Sequence, residues 1–81
     1  MNPDAYRVLE AMAWSERLGS GSLLPLKRIA AEALGGNGDL AVRVLADLDQ
    51  EGWVHTDTMG WQSGWLTPKG RTAAALHDRT P

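Results

Sequence analysis

Two apolar stripes of helical period, separated by a glycine-rich stretch, constrain the fold of this 81-residue chain most strongly. The first stripe is Leu26, Ile29, Ala30, Ala33 and Leu34, and the second is Ala41, Val44, Leu45 and Leu48. This spacing predicts two short amphipathic helices. The residues Gly35-Gly-Asn-Gly38 between them predict a turn, with Gly35 as a C-cap and Asp39 at the start of the next helix. Gly52 is expected to end that helix, and residues 53–57 are typical of a strand.

The flanking segments predict two more helices and a return strand. Asn2-Pro3 and Thr67-Pro68 are each an N-cap residue followed by proline, so we expect a first helix from Pro3 and a last helix through about residue 77. Residues 19–25 predict a flexible Gly-Ser connection and then an extended piece before Pro25. Residues 58–64 predict a turn, and Trp65-Leu66 predict the returning strand. The first helix repeats the apolar pattern at Ala5, Val8, Leu9, Met12 and Ala13.

Composition excludes several kinds of protein. The chain has no cysteine, so a disulfide framework and a thiolate metal site are excluded. We expect one domain over residues 1–81, with Met1 a natural start. The chain has no apolar run long enough for a signal peptide or a membrane span, so we expect it to lie in the cytoplasm. His55 and Asp57 share one strand face, but further ligands are missing, so a solvated face is favoured over a metal site. No catalytic set or phosphate-binding loop is present, so we expect neither an enzyme nor a cofactor.

Two segments resemble a known family. Leu45-Ala-Asp-Leu-Asp-Gln-Glu-Gly-Trp-Val54 and Leu66-Thr-Pro-Lys-Gly-Arg71 are similar to the end of the recognition helix and to the segment after the wing in MarR-type and PadR-type regulators. The resemblance implies an α+β, mainly helical, winged helix-turn-helix fold: a three-helix core, a two-stranded β-hairpin wing and a C-terminal helix. It also implies a DNA-binding transcriptional regulator with helix 39–51 in the major groove. The chain departs from the family because residues 57–64 carry no basic side chain.

This interpretation assigns contacts to particular side chains. Arg43 suits bidentate contact with guanine, and Asn37 or Gln50 suits adenine. Four cations are candidates for phosphate contact, namely Lys27, Arg28, Lys69 and Arg71. The predicted partner is double-stranded DNA, and a homodimer formed through the first or last helix is an open alternative to a monomer.

A second interpretation stays open beside the first. The net charge is −2, and no Lys or Arg occurs from residue 44 to residue 68, which is unusual for a nucleic-acid binder. The second interpretation is a protein–protein interaction module that uses the acidic third helix and the tryptophan-containing wing. Its candidate contact residues are Trp61, which we expect to be exposed near the turn, together with Met59 and Trp14.

Overall fold

The residues that the structure describes form four α-helices, one 3₁₀ turn (Met59–Trp61) and a two-stranded antiparallel hairpin. The computed structural model describes residues 3–18, 23–57 and 59–78. The helices are α1 (Pro3–Arg17), α2 (Leu26–Ala33), α3 (Gly38–Gln50) and α4 (Pro68–Asp78), and the strands are β1 (Val54–Thr56) and β2 (Gly64–Leu66). The prediction of an α+β, mainly helical chain is confirmed.

Short polar side chains set two of the helix starts. The Asn37 side chain caps α3 by accepting a hydrogen bond from the Leu40 amide at 3.1 Å, so α3 begins one residue before the predicted Asp39. The Thr67 hydroxyl accepts from the Gly70 amide at 3.1 Å, which confirms the predicted cap of α4. The predicted cap at Asn2 and the Gly-Ser connection at 19–22 lie outside the described residues.

The predicted apolar stripes supply most of one continuous core. Helices α2 and α3 pack against each other, and α1 contacts both of them as well as α4. Fully or nearly fully buried are Ala5, Val8, Leu9, Met12, Leu24, Leu26, Ile29, Ala30, Ala41, Val44, Leu45, Leu48, Val54, Leu66 and Ala74. Ala13, Ala33 and Leu34 were expected inside and are only partly buried at the edge of this core. Burial of these side chains provides the main stabilisation of the fold.

The hairpin carries a third extended segment on its edge. Strands β1 and β2 pair in the register Val54↔Leu66, which places these two side chains in the core. Leu24 forms an antiparallel bridge with Gly64, with N···O distances of 2.7 and 3.1 Å in the two directions. This bridge confirms that the residues before Pro25 are extended, and it ties the segment between α1 and α2 to the hairpin.

Candidate nucleic-acid interface

Helix α3 has one buried side and one solvent-exposed side. The exposed side chains, which we call the outer face of α3, are Asp39, Arg43, Ala46, Asp47 and Gln50. Arg43 is the single cation on this face and forms no salt bridge with any described residue. Asp39 and Asp47 lie one helical turn before and after it. The face therefore offers one guanidinium between two carboxylates.

Asn37 and Gln50 are the two alternatives predicted to read adenine, and they lie at opposite ends of α3. Gln50 is the last residue of the helix and is exposed. Asn37 precedes the helix, and its side-chain oxygen is engaged by the Leu40 amide. Bidentate contact with adenine needs both the oxygen and the NH₂ of the side-chain amide. Asn37 can therefore make bidentate contact with adenine only if its side-chain oxygen releases the Leu40 amide.

Lys27 and Arg28 lie in the first turn of α2, close to the start of α3. Both are exposed, and the Lys27 Cε atom would lie 3.8 Å from a Cβ built on Gly38, the first residue of α3. Arg28 Nε lies 3.5 Å from Glu32 Oε1, with both side chains more than 70% exposed. Such an exposed pair contributes little free energy. Both cations are therefore available to an anion that approaches α2 and the start of α3.

Lys69 and Arg71 were predicted to contact phosphate, and both are exposed side chains that also make contacts within the chain. Lys69 Nζ donates to the Glu51 carbonyl oxygen at 2.8 Å and lies 5.2 Å from the centre of the Trp53 ring. Arg71 donates two hydrogen bonds to the Glu16 carboxylate, at 2.8 and 2.9 Å. These contacts join α4 to the end of α3 and to α1. Phosphate contact by Lys69 or Arg71 would therefore require these internal contacts to open, whereas Lys27 and Arg28 need no such change.

The Glu16–Arg71 ion pair makes stability depend on pH. The hydrogen bonds from Arg71 lower the pKa of Glu16 below its ordinary value of 4.5. A carboxyl with a depressed pKa in the folded state stabilises the fold above that ordinary value and loses this contribution as pH falls through the depressed pKa. We expect Glu16→Gln to lower the free energy of unfolding by at most about 1 kcal/mol at neutral pH, because the pair is partly exposed.

Urea denaturation of both proteins at neutral pH and at several values below pH 4.5 measures this contribution. The difference between the two proteins should shrink as the solution is acidified. A difference that stays constant at all pH values would contradict the assignment.

One tryptophan of the hairpin region does not lie where the sequence predicted. Trp61 was expected to be exposed, but it is partly buried and packs against the core beside α2 and α3, with a left-handed φ of +63°. The side chain of Met59 lies outside the described set. Trp65 is partly buried, and its ring centre lies 4.8 Å from that of His55, with the two ring planes tilted by 43°. Trp53 is partly buried and packs against the core.

Trp14 is the most exposed of the four tryptophans. It lies on α1, is 59% exposed, and has the Arg17 guanidinium 5.5 Å from its ring centre. Of the three residues assigned to a protein partner, Trp14 is therefore the one with a largely accessible aromatic surface. Its position on α1 separates it from the outer face of α3.

Two further findings concern other kinds of site. Within residues 3–18, 23–57 and 59–78, no group of three or more His, Cys, Asp or Glu side chains could hold a metal ion. In the same part of the chain, no helix has the length and apolar character needed to cross a membrane.

No protein-family model, curated protein or solved structure matches this chain.

Proposed function

We propose that this protein is a winged-helix DNA-binding protein that places the outer face of α3 in the major groove. The observation that carries the proposal is the position of three accessible cations. Arg43 lies in the middle of the outer face of α3, and Lys27 and Arg28 lie on α2 next to the start of α3. The order of helix, extended segment, two helices, hairpin and helix supports the winged-helix fold.

Each cation has a defined role in this proposal. The Arg43 guanidinium donates two parallel hydrogen bonds to the N7 and O6 atoms of one guanine. Lys27 and Arg28 neutralise phosphates beside the groove and so fix the position of α2 over the backbone. Gln50 is the remaining candidate on α3 for reading a second base. A bound protein of this kind would regulate transcription by occupying its site.

The number of available cations sets the expected strength of binding. Two phosphate contacts give a dependence of log K on log salt with a slope of roughly −2 for duplex DNA. Asp39 and Asp47 also weaken the binding of α3 to DNA, because their carboxylates repel phosphate groups at close range. We therefore expect weak binding to DNA of random sequence and a strong dependence of specific binding on Arg43.

A matched pair of single-charge variants tests this assignment. We expect Lys27→Gln to reduce the magnitude of the salt slope by about 0.9 for duplex DNA, because one phosphate contact is lost. We expect Arg71→Gln to leave the slope unchanged, because Arg71 is held by Glu16. The measurement is fluorescence polarisation of labelled mixed-sequence duplex over a range of salt concentrations, with circular dichroism to confirm that each variant is folded.

Two results would contradict the proposal. Equal loss of slope in the two variants would show that α4 contacts DNA and that the Arg71–Glu16 pair opens on binding. Absence of binding by the unmodified protein even at low salt would remove DNA as the partner.

The acidity of α3 favours a second candidate function. The outer face of α3 carries two carboxylates against one guanidinium, and Glu51 adds an exposed acid at its end. A surface of this kind suits a basic protein surface, since opposite charges speed association and select partners. In this second function α3 would contact a basic protein partner, and the same salt titration would show no DNA binding.

A further inference from the structure

The carboxylate of Asp47, on the outer face of α3, does not stabilise the fold. Its side chain is exposed and forms no salt bridge with any described residue. Asp47 lies in the last turn of α3, which contains no basic side chain. A negative charge in that turn lies at the negative end of the helix dipole and destabilises the helix. Any favourable contact of this carboxylate is therefore with a group outside the chain.

Arg43 lies one helical turn before Asp47, and both charged groups are accessible. The two residues are four positions apart on the outer face of α3, yet they form no salt bridge with each other. The guanidinium has only hydrogen-bond donors, and the ionised carboxylate has only acceptors. The outer face therefore presents a donor group and an acceptor group that are about 6 Å apart along the helix axis.

The bases of a G·C pair match these two groups. In the major groove, guanine presents the acceptors N7 and O6, and cytosine presents the amino donor on N4. The Arg43 guanidinium matches guanine, as in the proposed function. The Asp47 carboxylate matches the N4 amino group of a cytosine. Guanine and thymine present acceptors that repel a carboxylate, and adenine presents the acceptor N7 beside its amino group. Cytosine is therefore the base that suits Asp47 best.

The spacing of Arg43 and Asp47 assigns their contacts to different base pairs. Successive base pairs are about 3.4 Å apart along the duplex, so a separation of about 6 Å corresponds to about two base pairs where α3 follows the groove. Ala46 is exposed between them on the same face. Its methyl group has no donor or acceptor and can make only apolar contact, with a thymine methyl group. The base pair in the middle is therefore read weakly.

We infer that Asp47 is a specificity-determining residue that accepts a hydrogen bond from a cytosine about two base pairs from the guanine that Arg43 contacts. The inference rests on the proposed function, because it requires α3 to lie in the major groove. At other sequences the carboxylate repels phosphates and base acceptors, whereas at the matching cytosine it gains a charge-assisted hydrogen bond. Asp47 therefore increases selectivity while it lowers the affinity for DNA in general.

Selection of binding sites from a pool of random DNA duplexes tests this inference. We expect the unmodified chain to enrich sites that contain a guanine and, about two base pairs away, a cytosine on one of the strands. Replacing that cytosine should weaken binding at least about fivefold. Asp47→Asn should select adenine in place of the cytosine and keep the guanine, because an asparagine amide makes bidentate contact with N6 and N7 of adenine.

Asp49→Asn is the matched control for Asp47→Asn. Asp49 lies in the same last turn of α3, but it is half-buried and does not belong to the outer face. The control variant therefore removes the same charge from the same end of the helix without changing a base contact. It should select the same site as the unmodified chain, and circular dichroism confirms that both variants are folded.

The outcomes separate this inference from the proposed function. Enrichment of no sequence by the unmodified chain would overturn both. A selected site that is identical for the unmodified chain and for Asp47→Asn would overturn only the inference, because Asp47 would then contact no base. The same change of site in Asp49→Asn would also overturn it, since the preference would then depend on net charge and not on a contact made by Asp47.

Discussion

The Gly64→Ala variant is expected to lose about 3–5 kcal/mol of folding free energy, which is the largest loss that we predict for a single substitution. Gly64 lies where β2 meets both β1 and the Leu24 segment. A Cβ at this position would overlap the His55 carbonyl oxygen and would lie 2.9 Å from Thr56 Cα and 2.5 Å from Leu26 Cδ1. Two of these three neighbours are backbone atoms and cannot move aside by rotating a side chain.

This loss is large compared with the total stability of a chain of 81 residues, which is roughly 4–12 kcal/mol. The Gly64→Ala protein should therefore unfold at a much lower denaturant concentration than the unmodified chain. Guanidinium denaturation followed by tryptophan fluorescence and circular dichroism measures the change. A variant within about 1 kcal/mol of the unmodified chain would mean that the hairpin and the Leu24 segment are not in close contact.

Replacement of Gly70 is expected to have the second-largest effect. Gly70 lies in the first turn of α4 and faces the Trp53 backbone, so that a Cβ there would overlap the Trp53 carbonyl oxygen and lie 3.0 Å from its carbon. It would also lie 3.2 Å from Leu66 Cδ2, which can yield. We expect Gly70→Ala to destabilise the fold by about 2–4 kcal/mol, because α4 must shift away from β1 and β2.

Gly38 provides a matched control for this substitution. It also lies in the first turn of a helix, but a Cβ there would meet only Lys27 Cε, at an ordinary 3.8 Å. Gly38→Ala should be neutral or stabilise the fold by up to about 1 kcal/mol, since alanine has the higher helix propensity. Comparing the denaturation midpoints of the two variants distinguishes the steric effect of a methyl group at Gly70 from the effect of alanine on helix propensity. Similar midpoints for Gly70→Ala and Gly38→Ala would contradict the close approach of α4 to Trp53.

The sequence predicted the features that depend on neighbours within a few residues. The apolar stripes of α1, α2 and α3 were readable because buried side chains recur with the period of the helix. The cap at Thr67 was readable because a hydroxyl before proline can accept from an amide three residues on. The extended residues before Pro25 followed from the restriction that proline imposes on its predecessor. Each of these is a local rule.

The sequence predicted the candidate interface less completely. Whether a charged side chain is accessible or engaged within the chain depends on residues that are far away in the sequence. The sequence presents Lys27, Arg28, Lys69 and Arg71 as four equivalent cations. The fold brings Glu16 to Arg71 across 55 residues and brings the Glu51 carbonyl oxygen to Lys69 across 18 residues. Lys27 and Arg28 keep accessible charges. No pattern of spacing along the chain distinguishes the engaged cations from the accessible ones.

Local periodicity and capping chemistry in the sequence thus determined where the helices form and which of their sides are buried. The tertiary structure decided which charged and aromatic side chains remain accessible: it turned Trp61 onto the core, left Trp14 exposed, and placed Lys69 and Arg71 in internal contacts. The physical reason is the distance along the sequence between the residues that interact. Hydrogen bonds and apolar contacts within a helix form between residues three or four apart. The accessibility of a surface side chain is fixed only when segments far apart in the sequence have packed together.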